Sequence, residues 1–447
     1  MNINRLLTIA IIFICFCEAA SAQIITGFSD VWYNTYSGGP GRFIRAIIDD
    51  DSLVIAGATW PGCPYGTRDQ LITKISSEGG VAWQFVRSPG GDHDVYSAVC
   101  MLNNGNYAFF GQENGEGSDY FDAVFTVFNR AGQELSNHFF LTPGSSNGMD
   151  MKKLPNGNLI FSGNHGSNLN FVALTDQNFN QINYKTFYVG GWNNAILEID
   201  TINNLIFAIG SCGCNEIQIK KYDYSLNQLG SYVITNSGPS DILDAKIING
   251  NLYLCGDVYI SDNIYGTIYQ VDFSGNILDS SITATPSKIT AIQNYSNTVI
   301  VTKSSISGQE VISSQLSVYL GNDQFGPNFT LNNGNPFIAN ALSLDHNYIY
   351  AIGNQGSNDW CGTPAVEKIL INTSAPSCAG LQTINYGGQD YHTVEIGNQC
   401  WLKENLNIGS RINGNLDQSN NSVIEKYCYN NQESNCQIYG GLYQWGE

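Results

Sequence analysis

Residues 154–163 read Leu154-Pro155-Asn156-Gly157-Asn158-Leu159-Ile160-Phe161-Ser162-Gly163. Two apolar runs flank an Asn-Gly pair, and the second run ends at a glycine. Asn-Gly readily adopts the positive φ angles of a two-residue turn, and the flanking residues favour strands. These residues therefore predict a β-hairpin whose second strand stops at Gly163.

The same pattern recurs along the chain. Close copies occupy residues 101–111 and 247–256, and looser copies end at Gly57, Gly210 and Gly353. A further apolar run, residues 298–302, fits the same place, with Lys303 where the glycine is expected. Successive copies are separated by roughly 46 to 54 residues, a period that indicates a propeller or a solenoid.

The segments around each hairpin complete a four-stranded unit. A polar loop follows the hairpin, then a third strand such as residues 123–128, a turn and a fourth strand. Four antiparallel strands per repeat are typical of a propeller blade. The last repeat ends after its third strand, residues 366–371, whereas an extra strand, residues 31–36, precedes the first repeat. The sequence therefore predicts an all-β, seven-bladed β-propeller that the N-terminal strand closes without a free edge.

The ends of the chain define further segments. Residues 1–22 contain Arg5, an apolar run too short to span a bilayer, and small residues before Gln23, as in a secretory signal peptide. We expect a mature chain that starts at Gln23 and has no transmembrane segment. The expected domains are a propeller at residues 23–372, a linker at 373–380 and a C-terminal module at 381–447.

The composition excludes one class of partner. The net charge is −19, and only 13% of the residues are charged. A nucleic-acid-binding surface needs clustered Lys and Arg side chains, so we expect no nucleic acid partner. An acidic chain rich in Asn and Gly suits an extracellular or outer cell-surface location, and we expect a monomer.

The cysteines predict a disulfide at the closure of the ring. An exported protein meets conditions in which disulfides form. Cys63 falls in the loop between the second and third strands of the first repeat, and Cys361 falls in the equivalent loop of the seventh. Because these repeats are neighbours in a closed ring, we expect a Cys63–Cys361 bridge.

The face that carries these loops is the predicted binding face. Loops between blades vary while the blades hold them in place, so this face is the usual site of function in propellers. The candidate ligand-binding residues are the aromatic side chains of these loops, Trp60, Tyr65, Trp192 and Trp360. Aromatic rings beside Asn and Asp side chains favour a glycan or peptide ligand. The alternative is that these rings only pack the loops.

No catalytic constellation is evident in the sequence. The five histidines are scattered without zinc-ligand spacing, and no nucleophile elbow, P-loop or dinucleotide fingerprint occurs. We therefore expect no metal and no cofactor. Asp94, Asp150 and Asp244 lie near the starts of first strands and could serve as general acid and base in the funnel. The alternative is that acids at a repeated position bond to a neighbouring segment in each blade.

The residues after the linker resemble a known family. The run Tyr391-His392-Thr393-Val394-Glu395-Ile396-Gly397-Asn398-Gln399-Cys400-Trp401-Leu402-Lys403-Glu404-Asn405-Leu406 is followed by residues 426–431 and 439–445. This segment resembles the opening of the Fibrobacter succinogenes major paralogous domain, a module of secreted and surface-anchored bacterial proteins. The resemblance implies a module of unsettled biochemical role whose later part is similar to the C-type-lectin-like fold.

The resemblance also implies an incomplete α+β module, because the sequence stops at Glu447 before the later half of the family pattern. We therefore expect the chain to be a fragment. About 60 residues bury little surface without a covalent staple, and Cys428 and Cys436 are candidates for one.

These observations favour non-enzymatic recognition or adhesion outside the cell, with a glycan or a surface protein as the partner. Two alternatives remain open: a polysaccharide-degrading enzyme with acids in the funnel, and a spacer that displays another domain.

Overall fold

The computed structural model describes residues 24–36, 39–63, 66–88, 93–114, 121–140, 145–166, 168–189, 194–211, 214–356, 361–374, 383–396, 399–418 and 423–444. The predicted signal segment and residues 375–380 of the predicted linker lie outside these ranges. The chain divides into two compact units, one at Gly27–Asn372 and one that contains Thr373–Glu447.

The larger unit is built from blades that follow one another along the chain. Strand β1 (Ile24–Thr35) comes first. The first blade contains β2 (Gly41–Asp49), β3 (Ser52–Thr59), β4 (Asp69–Ile75) and β5 (Val81–Arg87). The second contains β6 (Val95–Met101), β7 (Tyr107–Asn114), β8 (Phe121–Phe128) and β9 (Glu134–Phe140). The third contains β10 (Ser146–Lys153), β11 (Leu159–His165), β12 (Leu169–Thr175) and β13 (Gln181–Tyr188). Each is an antiparallel sheet whose strands pair in chain order.

The fourth and fifth blades share one long strand. They contain β14 (Asn194–Asp200), β15 (Leu205–Ser211), β16 (Cys214–Asp223), β17 (Gln228–Ile248), β18 (Asn251–Ile260), β19 (Asn263–Val271) and β20 (Ile277–Ile282). The first part of β17 pairs with β16 and its last part pairs with β18, so the outer strand of one blade continues into the inner strand of the next.

The N-terminal strand closes the ring, as the sequence predicts. The sixth blade is β21 (Ser287–Tyr295), β22 (Thr298–Ser307), β23 (Glu310–Gly321) and β24 (Gln324–Thr330). The seventh is β25 (Phe337–Asp345), β26 (Tyr348–Gln355) and β27 (Thr363–Ser374), with β1 as its fourth strand beside β27. The described residues thus form seven four-stranded blades, which confirms the predicted all-β propeller.

A β-bulge explains the glycine that ends each second strand. In the third blade Gly148 pairs with Gly163, and the next pair is Asp150 with Ser162, so Met149 is the extra residue. The bulge pushes the backbone of β10 toward β11, and a Cβ at position 163 would overlap the carbonyl oxygen of Asn147. The same bulge and close approach recur in four other blades, opposite Gly57, Gly111, Gly256 and Gly353.

Two blades depart from this rule. In the fourth, β14 and β15 pair without a bulge, and Gly210 faces side chains instead of a carbonyl oxygen. In the sixth, the bulge is present between Ile289 and Ala291, opposite Lys303. The glycine of the repeated pattern therefore follows from the bulge in five of the seven blades within the described residues.

The turn after β10 differs from the predicted two-residue turn. Leu154 to Asn158 form a five-residue connection, in which the Gly157 amide donates to the Leu154 carbonyl at 2.9 Å. Only Gly157 of the Asn-Gly pair has a positive φ, of 90°. A two-residue turn with positive φ at both positions does occur at Asn249-Gly250, with φ of 51° and 70°.

The turns between third and fourth strands repeat a second motif, which the sequence prediction did not use. An Asp accepts hydrogen bonds from the backbone amides two and four residues later, and an Asn at the latter position donates to the same carboxylate at 2.8 Å. Short polar side chains that bond to their own backbone in this way fix tight turns. The pairs are Asp176 and Asn180, Asp223 and Asn227, and Asp272 and Asn276.

Aromatic packing joins neighbouring blades. Phe110 and Phe125 of the second blade stack with ring centroids 4.6 Å apart, and Phe161 of the third blade meets Phe125 edge-on at 4.8 Å. All three side chains are buried. Such pairs contribute about 0.5–1.5 kcal/mol each beyond the burial of their area, so they help to hold the blades in register.

The second unit contains a small sheet and one short helix. Its strands are β28 (Thr383–Tyr386), β29 (Gln389–Ile396), β30 (Gln399–Leu402), β31 (Ser410–Arg411) and β32 (Glu425–Lys426), and its helix is α1 (Glu433–Tyr439). The first three strands form an antiparallel sheet, and the last two pair in parallel. The predicted Cys428–Cys436 disulfide is present, with a Cα–Cα distance of 5.0 Å.

Candidate functional site

The closure of the ring is fixed by a covalent bond on the predicted binding face. Cys63 follows β3, Cys361 precedes β27, and the two form a disulfide with Cα atoms 5.7 Å apart. This is the predicted pairing of the first and seventh blades. A disulfide between these loops limits how far the two blades can separate on this face.

Trp60 lies in the same loop as Cys63. Its indole N–H donates to the Gly66 carbonyl oxygen, and the guanidinium carbon of Arg68 lies 4.3 Å from the ring centroid. One face of the indole is therefore covered by a cation, an arrangement that stabilises both groups. The side chain remains partly exposed, so Trp60 is held in position with part of its surface open to solvent.

The other predicted ligand-binding residues, Tyr65, Trp192 and Trp360, lie outside the described residues. Of the four aromatic candidates, the structure thus places Trp60 alone, beside the Cys63–Cys361 bridge.

The centre of the ring carries charged side chains from several inner strands. Arg45 of the first blade forms an ion pair with Asp244 of the fifth, with Nη2 and Oδ1 3.2 Å apart. These blades are not neighbours, so the pair crosses the central channel. Lys152 of the third blade pairs with Glu198 of the fourth. Opposite charges from different blades therefore meet inside the ring.

Two of the three acids proposed as catalytic groups bond to the backbone of the next blade. Oδ2 of Asp150 accepts from the Leu197 amide at 2.9 Å, and Oδ2 of Asp244 accepts from the Ile292 amide at 3.1 Å. Both carboxylates directly follow a bulge, so they occupy equivalent positions. This geometry matches the structural alternative of the sequence analysis, in which a repeated acid bonds to its neighbour.

Asp94 does not share that position. It precedes β6, and its Oδ1 accepts from the Asn114 amide at 2.7 Å. Burial raises the pKa of Asp94 to about 6, with nearby Glu113 adding to the rise. A raised carboxyl pKa is typical of a general acid, but the residue is 0% exposed. A substrate on the surface would not reach this carboxyl group.

The sequence prediction missed Arg45, Lys152, Glu198 and Lys246 as functional candidates. The sequence contains a signal for them, because Asp150 and Lys152, like Asp244 and Lys246, are an acid and a base two residues apart in a strand. Side chains two apart in a strand share a face. Charges on the same face of successive inner strands therefore indicate a polar channel.

The described residues contain no group of three or more His, Cys, Asp or Glu side chains placed to hold a metal ion. In the part of the chain that the structure describes, every helix falls short of the length and hydrophobicity that a membrane crossing requires.

Comparisons with known proteins extend to fold alone. No family model matches the chain, and no curated protein does. Similar solved structures include the Dos1 propeller, at 10% identity over 77% of this chain and 96% of that chain, with a TM-score of 0.49. The polysaccharide lyase Uly1 is 10% identical over 79% and 98%, with a TM-score of 0.48. A protein of unknown function from Dyadobacter fermentans is 11% identical over 78% and 100%, with a TM-score of 0.46.

Proposed function

We propose that this chain is an exported, non-enzymatic recognition protein that binds a glycan or another surface protein. Binding uses the face of the propeller that carries the loop of Trp60 and the Cys63–Cys361 disulfide. The observation that carries the proposal is the fixed position of Trp60, whose indole is held by Gly66 and Arg68 beside the disulfide. Preorganised aromatic surface lowers the entropy lost on binding.

The environment of the acids supports a binding role over catalysis. Asp150 and Asp244 accept backbone hydrogen bonds from the next blade, and Asp244 also pairs with Arg45. Both carboxylates therefore already have structural partners, as the repeated position of these acids predicts. A polysaccharide-degrading activity would have to use other residues.

The test incubates the mature chain, from Gln23, with a panel of soluble and insoluble polysaccharides and measures both retention and released reducing ends. We expect retention without release, and at least tenfold weaker retention for Trp60→Ala. Trp83→Ala is the matched control, because Trp83 lies in the same blade near the opposite face and its indole N–H also donates to a carbonyl, that of Arg130, at 3.0 Å.

Two other results would contradict non-enzymatic glycan recognition. Release of reducing ends would overturn the non-enzymatic role. Absence of both retention and release would direct the search to protein partners, and failure of a surface-protein pull-down as well would leave a spacer as the function.

The proposed location is the cell surface or the extracellular medium, and the proposed state is a monomer. Residues 1–22 have the features of a cleavable signal, and the disulfides suit an oxidising compartment. Sequencing the N-terminus of the exported protein should give Gln23, and sedimentation should give the monomer mass. An intact Met1 on a protein retained in the cell would contradict export.

We also infer that residues 381–447 are related to the Fibrobacter succinogenes major paralogous domain, on the residue pattern around Trp401 and Tyr443. A solved member of that family should contain a sheet equivalent to β28–β30 followed by a disulfide equivalent to Cys428–Cys436. A different strand order in such a structure would contradict the relationship.

A further inference from the structure

A cavity of about 440 Å³ opens at the end of the central channel, among the turns that join first and second strands. It is formed by the ends of the inner strands of the third, fourth and fifth blades and by the turn at Asn103 of the second. This end of the channel is opposite the face that carries Trp60, because inner strands run from one face to the other. The cavity is therefore separate from the site proposed above.

The charge of the cavity is opposite to that of the chain. Lys152, Lys153 and Lys246 line it, against a single acid, Glu198. The whole chain has 19 Lys and Arg residues against 38 Asp and Glu. Three lysines around one acid in so acidic a protein form a local excess of positive charge.

Two of the three lysines are available to a ligand. Lys152 is committed to Glu198 by an ion pair. Among the described residues, neither Lys153 nor Lys246 has a hydrogen-bond or ion-pair partner. Burial raises the pKa of Glu198, but Lys152 and Lys246 lower it further, and the net pKa is below the usual range. The acid thus stays ionised, and two lysines of the cavity lining, Lys153 and Lys246, remain outside its internal ion pair.

The remaining lining has the chemistry of a sugar-binding surface. Pro155 and Ile199 supply an apolar side, and Asn103 and Thr201 supply an amide and a hydroxyl group. An apolar wall with a few polar groups and a charged group is the usual composition of a small-molecule site, and the volume is within the usual range. A pyranose ring has C–H groups for the apolar side and hydroxyl groups for the polar side. A carboxylate on that ring would meet the free ammonium groups.

We propose that this cavity binds a uronic acid unit of an acidic polysaccharide, with Lys153 and Lys246 at the carboxylate. The ammonium groups select the carboxylate, and Asn103 and Thr201 bond to ring hydroxyls. Lysine binds an anion as a point charge and not in the bidentate manner of arginine, so binding should weaken strongly with salt. The site is independent of the Trp60 loop and of the function proposed for it.

The experiment measures binding of glucuronate and of oligoglucuronates to the mature chain by isothermal titration calorimetry at low salt. Glucose and the matching neutral oligosaccharides are the ligand controls. We expect uronates to bind and neutral sugars not to bind. Lys246→Gln and Lys153→Gln should each weaken binding at least tenfold, and 0.5 M NaCl should have a similar effect on the unaltered protein.

Lys185→Gln is the control variant, because Lys185 is exposed on the outer strand β13, away from the cavity. It should bind as the unaltered protein does, and thermal melting should show that all three variants fold. Equal binding of glucose and glucuronate, or unchanged binding by both folded cavity variants, would overturn the proposal. Competition by inorganic phosphate or sulfate at the same concentration as glucuronate would reduce the cavity to a simple anion site and would overturn the sugar assignment.

Discussion

Arg45 and Asp244 lie 3.2 Å apart across the centre of the ring, although they belong to the first and fifth blades. Most contacts in a propeller join neighbouring blades, whereas this one spans the channel directly. Nη1 of Arg45 also donates to the Asn340 carbonyl of the seventh blade at 3.3 Å. One guanidinium therefore ties together the first, fifth and seventh blades.

Loss of the partner charge should destabilise the propeller. Asp244→Asn keeps an oxygen for the Ile292 amide but leaves the half-buried Arg45 without its ion-pair partner, a change that should cost about 1.5–3 kcal/mol. The double variant Arg45→Met with Asp244→Asn should cost clearly less than the sum of the single changes, measured by urea unfolding. Asp150→Asn is the control, because Asp150 accepts from the Leu197 amide without a partner within ion-pair distance among the described residues. Strictly additive losses would show that the pair contributes nothing.

The bulge predicts which glycines tolerate a side chain. Gly163→Ala should lower the free energy of unfolding by about 3 kcal/mol, because the new Cβ would overlap the Asn147 carbonyl and a backbone group moves only with its strand. Gly27→Ala in β1 is the control, since no atom lies within 4 Å of its Cβ position. Denaturant unfolding of both variants gives the comparison. Equal stability of the two would contradict the close approach.

The repeat, the blade count and the closing strand were predicted from the sequence, because they depend on a local pattern that recurs seven times along the chain. The bulges were not predicted, since an extra residue in one strand is visible only against its partner. The Asn-Gly pair at 156–157 was misread for a related reason. Turn length depends on where pairing stops, and pairing stops at Lys153 and Leu159.

The features of the candidate site were also predicted only in part. The Cys63–Cys361 bridge was predicted because ring closure makes two equivalent loops neighbours. The pair of Arg45 and Asp244 was not, because their distance depends on how inner strands converge around an axis. Asp94 was grouped with Asp150 and Asp244 by its position in the sequence. In the second blade the residue that directly follows the bulge, as Asp150 and Asp244 do in theirs, is Ala98.

Removal of the Cys63–Cys361 disulfide should lower stability more than removal of the Cys428–Cys436 disulfide. The Cys63–Cys361 disulfide spans 298 residues and the Cys428–Cys436 disulfide spans 8. Chain-entropy reasoning gives about 5 kcal/mol for the first and about 2 kcal/mol for the second. Replacing each pair by serine and following proteolysis of each unit by mass spectrometry would compare them. Equal protection of the propeller in both double variants would contradict this ranking.

A buried carboxyl group lies where the ring closes. Glu367 on β27 is 2% exposed, and its Oε2 accepts from the Asn332 amide at 2.8 Å. Burial raises the pKa of Glu367 to about 7, and the charge of Asp30 adds to the rise, although the hydrogen bond from the Asn332 amide opposes it. The pKa of Tyr33 on β1 is raised for related reasons, burial first and the charge of Glu367 second.

This carboxyl group makes the stability of the propeller depend on pH. The folded state holds the proton of Glu367 more tightly than the unfolded chain, in which the pKa of Glu is about 4.3. The protonated carboxyl group therefore makes its full contribution to the free energy of unfolding below about pH 4. This contribution is lost as the pH rises through about 7. The loss approaches about 3 kcal/mol at pH 8. Glu367→Gln keeps an acceptor for Asn332 and carries no charge, so we expect the variant to match the unaltered protein at pH 5 and to exceed it at pH 8 in urea unfolding. Glu310→Gln, a change at an exposed position on β23, is the control. It should show the same difference in stability between pH 5 and pH 8 as the unaltered protein. A Glu367→Gln variant that is less stable at pH 8 would show that the ionised carboxylate has a favourable partner after all.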